Sequence, residues 1–195
     1  EWFEDDEDWS VPLHTDEELA PGFTEIRIED LNYEWSEKTA NDLRSRLGEA
    51  YNYFLSEEMH TLTGDCFDLT IAVDGEEVTP DGTPDWAYSP FDGIYPRRFE
   101  DITLRFDELD HPVRANITVG LLTKKDTQKA GTDIYIQNRK VISSARNEEG
   151  WFGDGRERLG KFTARHDRLR IILELQTRAN GQRLPWDTQK SSIDK

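Results

Sequence analysis

Residues 134–142 read Ile-Tyr-Ile-Gln-Asn-Arg-Lys-Val-Ile. The two isoleucines at the start of this stretch flank a tyrosine, and such alternation is typical of a strand with one buried face. Asn138-Arg139 predicts a turn, because asparagine adopts left-handed backbone angles more readily than most residues. Val141-Ile142 then provides an apolar return strand. The stretch predicts a β-hairpin, which places a β-sheet at the centre of the fold.

The same alternation predicts further strands on both sides of the hairpin. They cover residues 67–73, the stretch marked by Ile102, Leu104 and Phe106, residues 113–122 and the mostly apolar residues 169–175. Asp74-Gly75 supplies the positive φ angles of a two-residue turn, and a short return strand follows at Val78. Polar or glycine-rich and proline-rich segments predict loops at 80–98, 124–131 and 146–161.

A single helix is predicted ahead of these strands. Ser36 is a candidate N-cap, since its hydroxyl can accept a hydrogen bond from a free N–H of the first turn. Six apolar residues follow on one face at helical spacing: Ala40, Leu43, Leu47, Ala50, Tyr51 and Phe54. Residues 23–28 alternate like a strand before the helix. This order predicts an α+β domain with a helix packed on one face of a mixed or mostly antiparallel sheet.

The charge of the chain is strongly negative and unevenly distributed. Its 195 residues include 24 Lys/Arg and 41 Asp/Glu, for a net charge of −17. Residues 124–195 hold 16 of the basic and 10 of the acidic residues, so the first 123 residues carry the negative excess. An acidic N-terminal part and a basic C-terminal part favour two surfaces with different partners. A generally acidic protein with an ordinary basic patch has the same composition.

The composition also bears on the compartment. No apolar run approaches the ~20 residues of a membrane helix, so no membrane partner is expected. Cys66 is the single cysteine and can form no internal disulfide, which favours a reducing, cytoplasmic setting. The chain begins with an acidic run and without methionine, and we expect it to be a fragment of a longer protein.

Several chemical motifs are weighed and set aside. Gly155 to Lys161 matches the first seven positions of a phosphate-binding P-loop, but Phe162 stands where a Ser or Thr would hold Mg²⁺. A chance match is favoured. The four histidines lack ligand spacing, so no metal site is expected. Cys66 is more typical of a small hydrophobe than of a nucleophile.

A basic stretch near the C-terminus is a candidate for nucleic-acid binding. It contains Arg156, Arg158, Lys161, Arg165, Arg168 and Arg170, with Phe162 among them, and the first five are the candidate contacts. Such a stretch can neutralise phosphates in a salt-dependent way. A solvated strand face has the same pattern, so both interpretations stay open.

Four segments in chain order resemble a known ATPase superfamily. Residues 22–31, Gly-Phe-Thr-Glu-Ile-Arg-Ile-Glu-Asp-Leu, resemble the Gly-Thr-x-Ile-x-Ile-x-x-Leu segment that closes the ATP-binding domain of gyrase, heat-shock chaperone, histidine kinase and mismatch-repair (GHKL) ATPases, with Phe23 inserted. Residues 71–80 and 134–142 resemble hairpins of these proteins, the second being the Tyr-x-Asn-x-Arg-x-Ile-like hairpin of the transducer domain. Residues 185–194, Pro-Trp-Asp-Thr-Gln-Lys-Ser-Ser-Ile-Asp, resemble the loop that closes that domain.

The resemblance implies a fold, domain boundaries and a role. Residues 1–31 would form an acidic lead-in and the terminal strand of an ATP-binding domain, and residues 32–195 the transducer domain, with its ribosomal-protein-like fold. In the family, ATP and Mg²⁺ bind in the preceding domain, and a lysine of the transducer loop contacts the γ-phosphate. By motif position the ATP-contacting residues are Thr188, Gln189 and Lys190, and Lys190 is the candidate catalytic residue.

The family's Asp-x-Gly-x-Gly adenine motif, Glu–Asn pair and glycine-rich lid do not occur in this sequence. The chain alone is therefore expected to bind no ATP and to catalyse nothing. Its expected partners are the preceding ATP-binding domain and a nucleic-acid or protein client, and the parent is expected to be a homodimer, since family members often dimerise through the ATP-binding domain.

Two other functions stay open at the level of sequence. One is a binding module whose basic C-terminal half contacts nucleic acid or an acidic partner. The other is a small enzyme with a cleft around Trp86, Tyr88 and Trp151, which a deep pocket with perturbed acids would mark.

Overall fold

The computed structural model describes residues 35–56, 69–88, 95–107, 109 and 111–177. The chain divides between Trp35 and Ser36 into two units, and all elements given below belong to the second unit. The strand predicted at 23–28 lies outside the described residues.

The described part of the second unit contains two α-helices and seven strands. In chain order they are α1 (Glu37–Ala50), α2 (Asn52–Leu55), β1 (Ala72–Val73), β2 (Glu76–Glu77), β3 (Arg97–Leu104), β4 (Val113–Leu121), β5 (Gly131–Ile136), β6 (Arg139–Ala145) and β7 (Leu169–Gln176). Short 3₁₀ helices at Glu148–Gly150 and Ala164–His166 lie between β6 and β7. In this part of the chain no helix is long and apolar enough to cross a membrane.

Five strands form one mixed sheet in the order β3-β4-β7-β5-β6. Neighbouring strands are antiparallel except for β5 and β7, which are parallel. The last of the described strands, β7, is therefore the central strand of the sheet. The predicted α+β class with a mixed sheet is confirmed. β1 and β2 form a separate two-stranded hairpin.

The hairpin predicted at 134–142 is present, but its turn lies one residue earlier than predicted. Ile136 pairs with Arg139, which leaves Gln137 and Asn138 for the turn. Their φ angles are 50° and 66°. Positive φ at both central residues gives a turn whose twist matches that of the flanking strands.

The predicted helix is present but interrupted. The Ser36 hydroxyl accepts a hydrogen bond from the Thr39 N–H at 3.2 Å, so the predicted N-cap is confirmed. The helix breaks at Tyr51 and resumes for one turn as α2. Ala40 is buried, whereas Leu43 is 37% exposed, so the predicted apolar face is only partly directed at the core.

The β1–β2 hairpin packs against α1. Arg44 donates a hydrogen bond of 3.1 Å to the Val73 carbonyl and forms an ion pair of 3.0 Å with Glu76. Gly48 permits the close approach of the following loop, because a Cβ at that position would lie 2.3 Å from the Thr79 carbonyl oxygen. Packing therefore explains a glycine inside a helix, where it is otherwise unfavourable.

The apolar core lies on one face of the five-stranded sheet. Alternate strand residues point to this face, and seven are buried together: Val113, Ala115, Ile134, Ile136, Ile142, Ala145 and Leu173. The intervening positions carry polar side chains to the other face, among them Asp133, Tyr135 and Glu174. This polar face carries the cluster described next.

Candidate functional site

The segment that the resemblance assigns to ATP lies beyond the last described residue. Thr188, Gln189 and Lys190 lie outside the described residues. β7 ends at Gln176, and Thr177 is the last described residue. Lys190 lies thirteen positions after Thr177, a span of at most about 45 Å when fully extended. The structure thus fixes the point from which this segment departs.

The β5–β6 turn is hydrogen-bonded to the end of β7 and to Thr177. The main-chain N–H of Gln137 donates to the Leu175 carbonyl at 2.9 Å, and its side-chain Nε2 donates to the Thr177 carbonyl at 2.9 Å. Gln176 Nε2 in turn donates to Asn138 Oδ1 at 3.2 Å. Three hydrogen bonds therefore join the two-residue turn to residues 175–177.

Two of the five candidate nucleic-acid contacts are engaged with the protein's own backbone. Arg168 donates from Nε to the Leu122 carbonyl at 2.7 Å. Arg158 donates to the Glu148 carbonyl at 2.5 Å, and its guanidinium lies 4.0 Å from the carboxylate of the same residue. These contacts stabilise the loop between β6 and β7. The guanidinium N–H groups that make them are not available to a phosphate.

The other three candidate contacts lie at the surface. Lys161 forms an ion pair of 3.2 Å with Asp154, and both side chains are exposed. Arg156 and Arg165 are exposed as well. The structure separates the five basic residues into different local environments, and binding of nucleic acid by them stays a prediction.

Phe162, which the sequence places within the basic stretch, packs inside the same loop. Its ring meets that of Phe152 edge-on at 4.8 Å between centroids, and His166 lies 5.3 Å away. The guanidinium of Arg146 lies over the Phe162 ring at 4.9 Å. The ring therefore stabilises the loop through contacts with three neighbours.

Arg170, the last basic residue of the stretch, is not on the surface. It is 2% exposed and donates to the carboxylate of Asp133, which is fully buried. Lys140 Nζ lies 3.4 Å from the same carboxylate, and the Ser144 N–H donates to it at 2.8 Å. The interpretation of Arg170 as part of a solvated strand face is wrong, because the neighbouring strand β5 supplies a buried acid as its partner.

Arg170 and Arg146 also hold the polar connection between β4 and β5. Arg170 donates to the Lys129 carbonyl. Arg146 donates from Nε to the Ala130 carbonyl at 3.0 Å and from its terminal nitrogen to the Thr127 carbonyl. The connection is thus attached to the sheet through its main-chain carbonyl groups.

The contacts between the helices and the polar face of the sheet include an ion pair and an aromatic stack. Glu49 of α1 accepts a hydrogen bond from Ser143 and lies 3.3 Å from Lys140 Nζ. Tyr53 of α2 stacks on Tyr135 of β5 at a centroid distance of 4.3 Å, with the rings 10° from parallel. Lys140 therefore joins the helix to Asp133 in the sheet.

The two stacked tyrosines remain protonated. Burial raises the pKa of Tyr53 above its ordinary range, and the charge of Glu174, to which it is hydrogen-bonded, raises it further. Burial also raises the pKa of Tyr135, with a contribution from the charge of Asp133. Neither phenol is suited to act as a base, so both serve as hydrogen-bonding and packing groups.

The pKa of Glu49 is lowered. Burial alone would raise it, but the Ser143 hydrogen bond and the Lys140 charge outweigh that contribution. A carboxylate with a lowered pKa contributes stability that is fully present above its ordinary value and is lost as the pH falls through its folded-state value.

We expect the protein to be more stable than Glu49→Gln at neutral pH, and the difference to shrink as the pH falls below the ordinary value of 4.5. Urea unfolding of both proteins from about pH 7 to about pH 3 measures this. Glu157→Gln, a change at an exposed loop position, is the control and should follow the wild type. A difference that stays constant over the whole range would contradict the assigned role of the Glu49 charge.

A groove of about 840 Å³ opens beside the cluster. Its lining includes Glu49, the β6 residues 142–145 and Arg170. Lys129 and Asp81 also line it and form an ion pair of 3.7 Å. Both signs of charge are present, so the groove favours a polar occupant without selecting its sign. Among the residues that the structure describes, no group of three or more His, Cys, Asp or Glu is placed to hold a metal ion.

Comparison with known proteins gives no relative for this arrangement. No protein-family model matches the chain. No curated protein and no solved structure matches it either. What the chain does has to be inferred from its own residues and geometry.

Sequence reasoning missed the buried charges of the polar face. Charged residues at alternate strand positions are typical of a solvated face, so neither Lys140 nor Arg170 was expected to be buried. The available signal was Asp133, the only charged residue between positions 131 and 136. An acid inside an otherwise uncharged strand requires a partner, which only the pairing with β7 and β6 reveals.

Two sequence candidates remain: the P-loop-like stretch at 155–161 and the cleft around Trp86, Tyr88 and Trp151. Gly153 and Gly160 pair in a single bridge, and a 3₁₀ helix follows at Ala164–His166. Over residues 155–177 there is thus no α-helix start that would bind phosphate as in a P-loop. Trp86 lines a separate groove of about 570 Å³, whose lining includes neither Tyr88 nor Trp151.

Proposed function

We propose that this chain is the transducer module of a GHKL-type ATPase, preceded in residues 1–31 by the last strand of the ATP-binding domain. In this proposal residues 32–195 have the ribosomal-protein-like transducer fold and couple ATP binding and hydrolysis in the preceding domain to a conformational change. ATP and Mg²⁺ belong to that domain in a cytoplasmic, dimeric parent.

The observation that carries the proposal is the chain order of the four family-like segments, combined with the fold of the two that the structure describes. Residues 71–80 contain the β1–β2 hairpin, with Asp74 and Gly75 at φ angles of 53° and 76°. Residues 134–142 contain the β5–β6 turn, which contacts the end of β7. The segment with Lys190 comes after β7 in the sequence. The two described segments therefore fold as hairpins, as the resemblance implies for residues 134–142, and this supports the proposal.

The chemistry proposed for Lys190 follows from its side chain. An ammonium on a flexible stem is a compact charge suited to a phosphate oxygen. Contact with the γ-phosphate would join the two domains while that phosphate is present and release them after hydrolysis. The same charge would stabilise negative charge that develops during transfer.

The contact between the helices and the sheet is consistent with the proposed movement of the module. It uses the Glu49–Lys140 ion pair and the Tyr53–Tyr135 stack. The ion pair can be exchanged for other polar partners or water, whereas a tightly interdigitated apolar interface resists sliding. A small displacement of α1 relative to the sheet is therefore compatible with an intact apolar core on the opposite face.

The proposal is tested on the protein encoded by the complete reading frame that contains Glu1. We expect Lys190→Ala to lower ATP turnover by about 100-fold, the scale observed when one preorganised charge-stabilising group is removed. Lys195→Ala, five residues further along the same segment, is the matched control and should retain turnover. Equal turnover in both variants would refute the role of Lys190, and a complete reading frame without an ATP-binding domain would refute the proposed function as a whole.

A further inference from the structure

The groove that Trp86 lines lies on the polar face of the sheet, where β3, β4 and β7 are neighbours. Its volume is about 570 Å³, and every residue that lines it belongs to the described part of the chain. Asn116 of β4 and Glu174 of β7 line it and are directly paired across the two strands. α2 contributes Tyr53. A groove of this size with aromatic and polar side chains is typical of a site for a small molecule.

Trp86 is held in place by main-chain contacts and by a close approach to the sheet. It pairs with Leu122 in an antiparallel bridge, and the Ala87 N–H donates to the Leu121 carbonyl at 2.7 Å. Gly120 allows the indole to lie against β4, because a Cβ at that position would be 2.8 Å from the ring. An aromatic ring held in this way can contact a ligand with little loss of side-chain freedom on binding.

The carboxylate of Glu174 is buried beside the same groove. Glu174 is 9% exposed, and the Tyr53 hydroxyl donates a hydrogen bond to it. The Tyr53 ring is in turn held by its stack on Tyr135. A carboxylate has about four acceptor positions, so it can bind this hydroxyl and a cation together. Because water screens a buried charge less than an exposed one, Glu174 attracts a cation more strongly than a surface acid does.

The charges along the groove favour a cation. Of the residues that line it, Glu100, Asp101 and Glu174 are acids and Arg98 is the one base, which gives a net charge of −2. Glu100 and Asp101 are exposed on β3, where they raise the local concentration of cations. Aromatic rings such as that of Trp86 also attract cations through their negative faces. The groove beside Glu49, in which both signs of charge balance, has no such preference.

The carboxylate and the indole contact different parts of β4. Glu174 is in register with Asn116, whereas Trp86 lies against Gly120. Four residues of an antiparallel strand span about 14 Å. Thr118, midway between these two positions, lines the groove as well. A ligand that uses both the carboxylate and the indole is therefore elongated.

We propose that this groove binds an elongated organic cation, with its ammonium at Glu174 and its apolar or aromatic end against Trp86. The ammonium donates to the Glu174 carboxylate, and the apolar end displaces water from the indole. The proposal does not depend on the function proposed above, because it uses neither ATP nor the segment that carries Lys190.

The test measures binding of phenethylamine to the chain by isothermal titration calorimetry at low ionic strength. Phenethyl alcohol has the same shape without the charge, and ethylamine has the charge without the ring. We expect phenethylamine to bind about ten-fold more tightly than the alcohol, the scale of a hydrogen bond to a charged group. It should bind about five-fold more tightly than ethylamine, since the ring also contacts Trp86. Equal affinity for the amine and the alcohol, or no binding of the amine at millimolar concentration, would overturn the proposal.

Variants assign the two ends of the ligand. Glu174→Gln keeps an oxygen acceptor for Tyr53 and should weaken phenethylamine about ten-fold while leaving the alcohol unchanged. Trp86→Leu should weaken phenethylamine about five-fold and leave ethylamine unchanged.

Two exposed acids complete the test and carry little risk to folding. Glu100→Gln, at the groove, should weaken phenethylamine about two-fold, the effect of one exposed charge. Glu157→Gln, an exposed acid that does not line the groove, is the matched control and should bind like the wild type. An equal loss in Glu157→Gln and Glu174→Gln would show attraction to the net negative charge of the whole chain and would overturn the site.

Discussion

Replacing Asp133 with alanine is expected to lower the free energy of unfolding by about 3–5 kcal/mol, the usual cost of breaking a buried ion pair from one side. The change leaves Arg170 and Lys140 buried without their shared carboxylate, and each is only 2% exposed. It also removes the acceptor for the Ser144 N–H. Urea unfolding at neutral pH measures the loss.

Two further variants make the test specific. Asp154→Ala removes an acid whose ion pair with Lys161 is exposed, so it should change the free energy of unfolding by less than about 0.5 kcal/mol. The triple variant Asp133→Leu, Arg170→Met, Lys140→Met replaces the charges together and should recover more than half of the loss, because neither cation is then buried without Asp133. A triple variant as unstable as Asp133→Ala would show that the charges are not the cause.

Phe152→Ala is expected to cost about 3–5 kcal/mol as well. Phe152 is 1% exposed and packs against the rings of Phe162 and His166. It is the main apolar anchor of the long connection between β6 and β7, so its removal creates a cavity beneath this loop. Thermal and urea unfolding of the purified chain measure the effect.

The adjacent aromatic residue is the matched control for this cavity. Trp151 is 41% exposed, and Trp151→Ala should cost less than about 1 kcal/mol. Similar losses at both positions would mean that ring size, and not burial, determines the cost. The pair separates the two contributions with neighbouring residues of the same loop.

The elements that the sequence predicted well have local causes. The Ser36 cap, the Asp74-Gly75 turn and the strands around residues 113–122 and 169–175 depend on residues close together in the chain. The hairpin turn was misplaced by one residue, because the register between β5 and β6 decides it and two left-handed non-glycine residues were not expected. β3 likewise ends at Leu104, so the predicted contribution of Phe106 to that strand is wrong.

The buried charges could not be predicted because their partners are distant in sequence. Arg170 meets Asp133 across 37 positions, and Lys140 meets Glu49 across 91. Sequence periodicity reports which face of a strand is polar, but not whether that face is covered. The proposed ATP contacts differ in kind, because Lys190 was identified by motif order, lies outside the described residues and stays a prediction.

The central position of β7 has a consequence for the synthesis of this protein. β3 with β4 and β5 with β6 can pair as the chain emerges from the ribosome, but β7 must insert between them, and its Leu175 pairs with the distant Ala115. Closing so long a loop is slow. Until β7 has been made, the edges of β4 and β5 that it will cover stay open and can pair with other chains. Among the strands that the structure describes, the central one is the last to be synthesised.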